Sequence, residues 1–218
     1  MSTEQEKSAV AHILADAQYP CIVELGAHCG EDETWLRDAC SSDPLYVMVE
    51  PDPRNVQYLI ELPRSENRRI LIGAVSDQNE MRPFHFSENS LDHNNASGSL
   101  RYPSAHLECF PHVTFPCTGM VRCYTLDAIF ERERLTKIDL LWVDIQGAER
   151  EMILGGAKAL SHTRYLFMEA EPAVELYEGA ALRAELLALL PGWSLLGEFE
   201  ANVLLQNENF RDRGPRLT

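Results

Sequence analysis

Two glycines, a carboxylate, an imidazole and a thiol fall together at Glu24, Gly26, His28, Cys29 and Gly30. The apolar run from Cys21 to Leu25 precedes them, and a helical pattern begins at Glu31. That order predicts a strand, a tight glycine turn and a helix N-terminus, the opening of a nucleotide-binding α/β sheet. The spacing is E-x-G-x-x-x-G. It lacks the G-x-G-x-x-G of a dinucleotide site and the lysine of a P-loop. Glu31, Asp32 and Glu33 fill the predicted first helical turn. They suit the helix dipole but would repel a pyrophosphate. A cationic ligand fits better. S-adenosylmethionine (SAM) carries a sulfonium and an ammonium against one carboxylate. Glu24 is expected to face the ammonium, and Gly26 to let the backbone approach the ligand.

Further acids sit where predicted strands end. Glu50 closes the apolar run from Leu45 to Val49, and Pro51, Asp52 and Pro53 follow. A carboxylate there can accept from both ribose hydroxyls. Gly73 and Ala74 are small enough for an adenine to lie flat, with Val75 or Ser76 at its edge. Asp144 follows the run from Lys137 to Val143, and Glu169 follows Arg164 to Met168. In open α/β sheets ligands lie outside the carboxyl ends of strands. Asp144 and Glu169 as neighbours could hold a divalent ion, act as an acid/base pair, or be solvated loop residues.

The elements that must position these groups alternate along the chain. Residues 1–18 read as a helix with Val10, Ile13, Leu14 and Ala17 on one face. Strands are expected at 21–25, 45–49, 69–77, 137–144 and 164–169, with helices over 55–62, 147–159 and 175–190. A closing hairpin is expected over 193–199 and 202–206. Residues 78–123 break the alternation. Arg82 to Ser87 reads as an extra strand and Val121 to Asp127 as another, with turn-rich sequence and prolines between. Four of the seven histidines, His85, His93, His106 and His112, occur there. Long structureless insertions are usually functional or disordered, so this one is expected to be a flap over an acceptor pocket.

The chain has 218 residues, is 45% hydrophobic, and carries a formal net charge of −15. Its length suits a single domain, 1–218. The acidity disfavours nucleic acid and anionic membranes as partners. No apolar run approaches the roughly 18 residues of a membrane span. The first residues are polar, unlike a signal peptide. None of the six cysteines forms a C-x-x-C pair. Free thiols and a cytoplasmic location are expected.

At these motifs the chain resembles the FkbM-type SAM-dependent methyltransferases. The turn Val23 to Gly30, with Ala27 and His28 inside it, is similar to the methyltransferase first motif. Tyr46 to Pro51 is similar to the second. The run from Lys137 through Asp144 to Glu149, with Leu154 to Ala157 after it, resembles the family's K-x-D-x-x-x-x-D-x-E-G-A-E stretch. Gln146 stands where the family often has Glu. The resemblance implies a Rossmann-like class I methyltransferase fold, a mostly parallel seven-stranded sheet with helices on both faces. It also implies methyl transfer to a hydroxyl of a small molecule such as a sugar or secondary metabolite. In that setting Glu24, Gly26, Ala27, His28, Gly30, Glu50, Pro51, Ala74, Val75, Ser76 and Asp144 would hold the cofactor. Two routes could activate the acceptor. Asp144 and Glu169 could bind a divalent cation such as Mg2+, or Asp144 with a flap histidine, His93 or His106, could work without metal. An NAD-dependent oxidoreductase and a non-catalytic SAM-binding protein remain the other readings. A homodimer is possible.

Overall fold

In the computed structural model of the protein, residues 3–91 and 94–211 are described. Along the chain run α1 (Glu4–Leu14), β1 (Cys21–Leu25), α2 (Glu33–Asp38), β2 (Leu45–Glu50), α3 (Pro53–Glu61) and β3 (Arg68–Ile72). Next come β4 (Ala74–Val75), β5 (Met81–Asn89), α4 (His106–Cys109), β6 (Val113–Tyr124) and α5 (Leu126–Arg132). The remainder is β7 (Ile138–Val143), α6 (Glu149–Leu154), α7 (Ala157–Ser161), β8 (Thr163–Glu169), α8 (Arg183–Ala188), β9 (Trp193–Glu198) and β10 (Asn202–Asn207).

Seven strands form one sheet in the order β3-β2-β1-β7-β8-β10-β9. The first five are parallel, and β10 runs antiparallel to both of its neighbours. β1 is the switch point, where chain order leads to β2 on one side and to β7 on the other. Crevices for ligands open there, at the carboxyl ends. Strands β1, β2 and β7 are apolar on both faces because helices cover both. Val23, Leu25, Val47, Leu141 and Val143 point into one core layer. Ile22, Tyr46, Met48, Leu140 and Trp142 point into the other. Trp142 and Phe167 stack there with centroids 4.0 Å apart and planes 6° apart.

Helix α1 buries Val10 and Leu14 in that second layer. Thr3 caps it reciprocally with Glu6, an arrangement worth about 1 kcal/mol.

Four elements differ from the sequence pattern. The strand expected at 69–77 splits at Gly73, and β4 leaves the main sheet to pair with β6. A Cβ on Gly73 would stand 2.7 Å from the Arg122 carbonyl oxygen, so only glycine lets β6 cross so close. The insertion 78–123 is not structureless. β5 and β6 pair as a long antiparallel ribbon from Met81–Arg122 to Asn89–Val113. Its many turn residues occupy the tip, and its alternating residues make the ladder. The helix expected over 147–159 breaks at Gly155 and Gly156 into α6 and α7. Side chains at those two positions would strike the Ser76 carbonyl and Leu126. Of the helix expected over 175–190, only Arg183–Ala188 forms. Residues 175–182 instead follow an irregular path that carries Tyr177 inward, with the Glu178 N–H donating to the Tyr102 carbonyl at 2.8 Å.

Candidate active site

The glycine turn is held by backbone bonds. Gly26 and Ala27 both donate to the Val49 carbonyl, at 2.9 and 3.1 Å, and Asp144 donates to the Leu25 carbonyl at 3.0 Å. Gly26 has φ +82°, and a Cβ there would lie 1.8 Å from the Asp144 carbonyl oxygen. Glycine is therefore required for the β1 and β7 exits to touch. Gly30, φ +83°, packs on Leu59, Leu62 and Met48, beneath the turn. Ala27 is buried in the core.

Beside this turn lies a cleft at the exits of β1, β2 and β7. Gly26, His28, Glu50, Pro51, Ala74, Val75 and Asp144 line it. Wall residues that the sequence did not single out include Asn55 from α3, Phe84 from β5, and Asn95, Ala96, Gly98 and Leu100 from the ribbon tip. The ribbon thus roofs this cleft as well as the ground beyond it. The only sequence signal was the cluster of small and turn-forming residues at 94–99.

Glu24 and Ser76 are not among the residues lining the cleft. Strand alternation turns Glu24 into the second core layer, where its carboxylate accepts from the Tyr46 hydroxyl at 2.9 Å. Burial, then the nearby Asp32, pushes its pKa well above the ordinary carboxylate value. Ser76 is buried, donating to Asp77 and accepting from Arg82. The three acids after the turn also differ from expectation. Helix α2 begins only at Glu33, and Glu33 turns away to pair with Arg37 and Arg68. Asp32 accepts from the Trp35 indole N–H at 2.6 Å. Glu31 reaches His28, with Oε1 and Nδ1 2.7 Å apart.

Glu50 is buried and joins three pieces of backbone. Its Oε2 accepts from the His28 N–H at 2.9 Å, and its Oε1 from the Asp52 N–H and the Asn55 amide. Oε1 thereby has both acceptor sites filled, and Oε2 keeps one lone pair free for a ligand hydroxyl. Burial pushes its pKa up to about 7, against the lowering effect of those three donors.

His28 spans the turn and the ribbon tip. Nδ1 faces the Glu31 carboxylate, and Nε2 lies 2.8 Å from Asn95 Oδ1. The Asn95 amide nitrogen donates to Asp52, which fixes its oxygen toward His28. Both ring nitrogens therefore face acceptors, an environment for the imidazolium. Burial lowers the His28 pKa, but the bonds to Glu31 and Asn95 outweigh it and the net shift is upward.

At the mouth of the cleft one amide organises two carboxyl groups. The Gln146 Nε2 donates to Asp144 Oδ1 at 2.6 Å and to Glu169 Oε2 at 2.9 Å. Its Oε1 lies 2.7 Å from the Tyr177 hydroxyl, which is also 2.9 Å from the Ser97 carbonyl. Ser99 donates to the Gln146 carbonyl at 2.7 Å. Gln146 and Gly147 have φ of +52° and +94°, the left-handed bend that turns this amide inward. Burial, then Asp144 and Glu149, drives the Glu169 carboxyl well above the ordinary range. Burial likewise raises Glu149 to about 7. Sequence reading marked Gln146 only as a departure from the family pattern, and nothing in it pointed to Tyr177.

Gln146 and Ala96 also belong to a second, open groove of about 1450 Å3. It runs past Glu169 to Thr3 and Glu6 of α1. His106 lines this groove, not the cleft. It is 3% exposed, ringed by Phe110, Phe115 and Tyr177, and burial lowers its pKa. His93 lies outside the described residues.

The donor set gives a divalent cation little to hold. Asp144 and Glu169 are joined through an amide N–H pair, which a cation would have to displace. A hard cation takes six or more oxygen ligands. Among the described residues, the one cluster of three close ligand-type side chains is His28, Cys29 and Glu31, elsewhere.

Comparison with known proteins agrees with this architecture. Residues 24–193 match the model of the methyltransferase FkbM domain. The 2-O-methyltransferase NoeI of Sinorhizobium fredii (strain NBRC 101917 / NGR234) is 34% identical over 195 residues, covering 86% of this chain and 79% of NoeI. Among solved structures, a methyltransferase FkbM from Methylobacillus flagellatus KT superposes with a TM-score of 0.53 at 15% identity. That match covers 86% of this chain and 43% of the other, so the chain spans under half of that protein. Cofactor-bound Rv0187 from MTB gives a TM-score of 0.53 at 11% identity, covering 95% and 82%. At such identities these structures bear on the fold alone.

Proposed function

The chain belongs to the FkbM family of methyltransferases, and from that premise we propose that it is a SAM-dependent O-methyltransferase acting on a hydroxyl of a small molecule. The observation that carries this reading is that Asp144 lines the cleft and accepts from Gln146, a residue shared by the cleft and the open groove. The 2-O-methyltransferase activity in NoeI's name supports oxygen as the atom methylated.

SAM, when bound, supplies a methyl group already activated on a sulfonium. In this reading Glu50 accepts from a ribose hydroxyl through the free lone pair of Oε2. Gly73, Ala74, Val75 and Phe84 form the apolar wall for the adenine. Gly26 leaves room at the turn. When the acceptor hydroxyl is methylated its proton must leave, and Asp144 would be the group that receives it. The Gln146 amide holds Asp144 in place for that transfer. Burial, with Asp144 and Glu149 nearby, pushes the Glu169 carboxyl upward, so this reading gives the transfer to Asp144 and not to Glu169. Fixed alignment can contribute roughly 7–11 kcal/mol to such a displacement. A second reading makes His106 the base, favoured by its neutral ring and its place in the groove wall.

Calorimetry with SAM and with NAD tests the cofactor. Micromolar binding of SAM with no heat from NAD is expected, and tight NAD binding without SAM binding would overturn the proposal. With acceptor in hand, Asp144→Asn should cut kcat about 100-fold or more with SAM affinity little changed. A larger loss from His106→Gln would transfer the role of base to the histidine.

A further inference from the structure

The open groove has a charge character that the cleft does not explain. Glu169, Glu171 and Glu200 border it on one side and Glu6 closes its far end. Among the described residues no lysine or arginine lines it. His112 lines it as well as His106, and Arg183, close to Glu171, is committed to Glu198 and to the carbonyls of Ala170, Phe199 and Glu200. The opposite wall is aromatic, with Phe110 beside His106. The His106 Nδ1 is buried and has no hydrogen-bond partner, though its ring forms part of that wall. A buried polar atom left unpaired in a ligand groove is a place where a ligand is expected to complete the bonding. Burial and the neighbouring Glu200 raise the Glu171 pKa despite Arg183, a sign of the negative potential there.

We propose that this groove binds a hydroxyl acceptor whose flanking groups are uncharged or amine-bearing, and that it rejects phosphorylated and carboxylated compounds. The inference rests on the methyl-transfer reading above and adds the chemical class of the acceptor. Hydroxyls of the acceptor meet His106 and the carboxylates, its apolar edges meet Phe110, and an ammonium finds several carboxylates with no lysine or arginine among the described lining residues. A second anion would enter a field of like charge.

Three matched probes test this: methyl β-glucoside, its 6-amino-6-deoxy analogue and methyl β-glucuronide. Their binding is measured by saturation-transfer NMR on the full chain with S-adenosylhomocysteine present. The amine is expected to bind at least about tenfold tighter than the glucuronide, with the neutral glucoside between. In Glu171→Gln/Glu200→Gln the spread should shrink to within about threefold. Glucuronide binding equal to the amine, an unchanged spread in the double variant, or no binding of any probe overturns the inference. Calorimetry with SAM on the same samples separates the two claims. If SAM binds and the charge order is absent, only the groove inference fails. If SAM does not bind, the transfer reading fails first.

Discussion

Gln146 commits its whole side-chain amide, both N–H groups to carboxyls and its oxygen to a phenol. Glutamate at this position would remove two donors and put a third carboxylate between Asp144 and Glu169. Gln146→Glu is therefore expected to lower Tm and to gain a Mn2+ site that the native protein lacks, read by calorimetry. The native enzyme should keep full turnover after exhaustive chelation. Glu50 carries the second prediction at this scale. Its carboxyl is protonated below about pH 7 and ionised above it. The ionised form accepts better from a ribose hydroxyl, so SAM affinity should rise between pH 6 and pH 8. Glu50→Gln should lose that dependence and weaken SAM binding by about 10–100-fold, the worth of a hydrogen bond to a charged group. Single residues were partly legible in the sequence. Glu50 and Asp144 stand out because acids that end apolar runs reach the carboxyl edge of a sheet. Glu24 could have been placed as well. It alternates with Val23 and Leu25, so it had to point to the opposite face from them. Tyr177 could not, because Glu175 to Leu190 carries a helical pattern that tertiary bonding overrides.

Among the elements, the β1 turn is the least tolerant. Gly26→Ala forces a left-handed side chain onto the Asp144 carbonyl. A cost of at least about 3 kcal/mol is expected, roughly 6–12 °C in Tm for a domain this size, measured by thermal unfolding. The ribbon tip behaves differently, since a histidine clasps it. A raised folded-state pKa means that the His28–Asn95 contact is fully formed at low pH and is lost as pH rises through that value. Glu31, Glu50, Asp52 and Cys29 surround the ring and Arg54 lies behind Asp52. Asn95→Ala should lower the His28 pKa, followed by nitrogen chemical shifts, and weaken SAM binding a few-fold with Tm nearly unchanged. The alternation of strands and helices was readable from periodicity. The ribbon was not, because strands at a sheet's margin alternate weakly and this one contains Pro83 and Pro116.

For the molecule as a whole, charge and layering act together. Net charge −15 surrounds a sheet whose two faces are both covered. No helix among the described residues is long and apolar enough to cross a membrane. The protein should leave a tRNA probe unshifted in gel electrophoresis at 0.15 M salt, since a net charge of −15 opposes contact with phosphates. Cleft and groove share Ala96 and Gln146, yet the rest of their walls differ. With the proposed donor in the cleft and the proposed acceptor in the groove, spent donor would be exchanged for fresh while an acceptor stays seated, which favours intersecting rather than parallel lines in two-substrate kinetics and permits successive turnovers on one docked molecule.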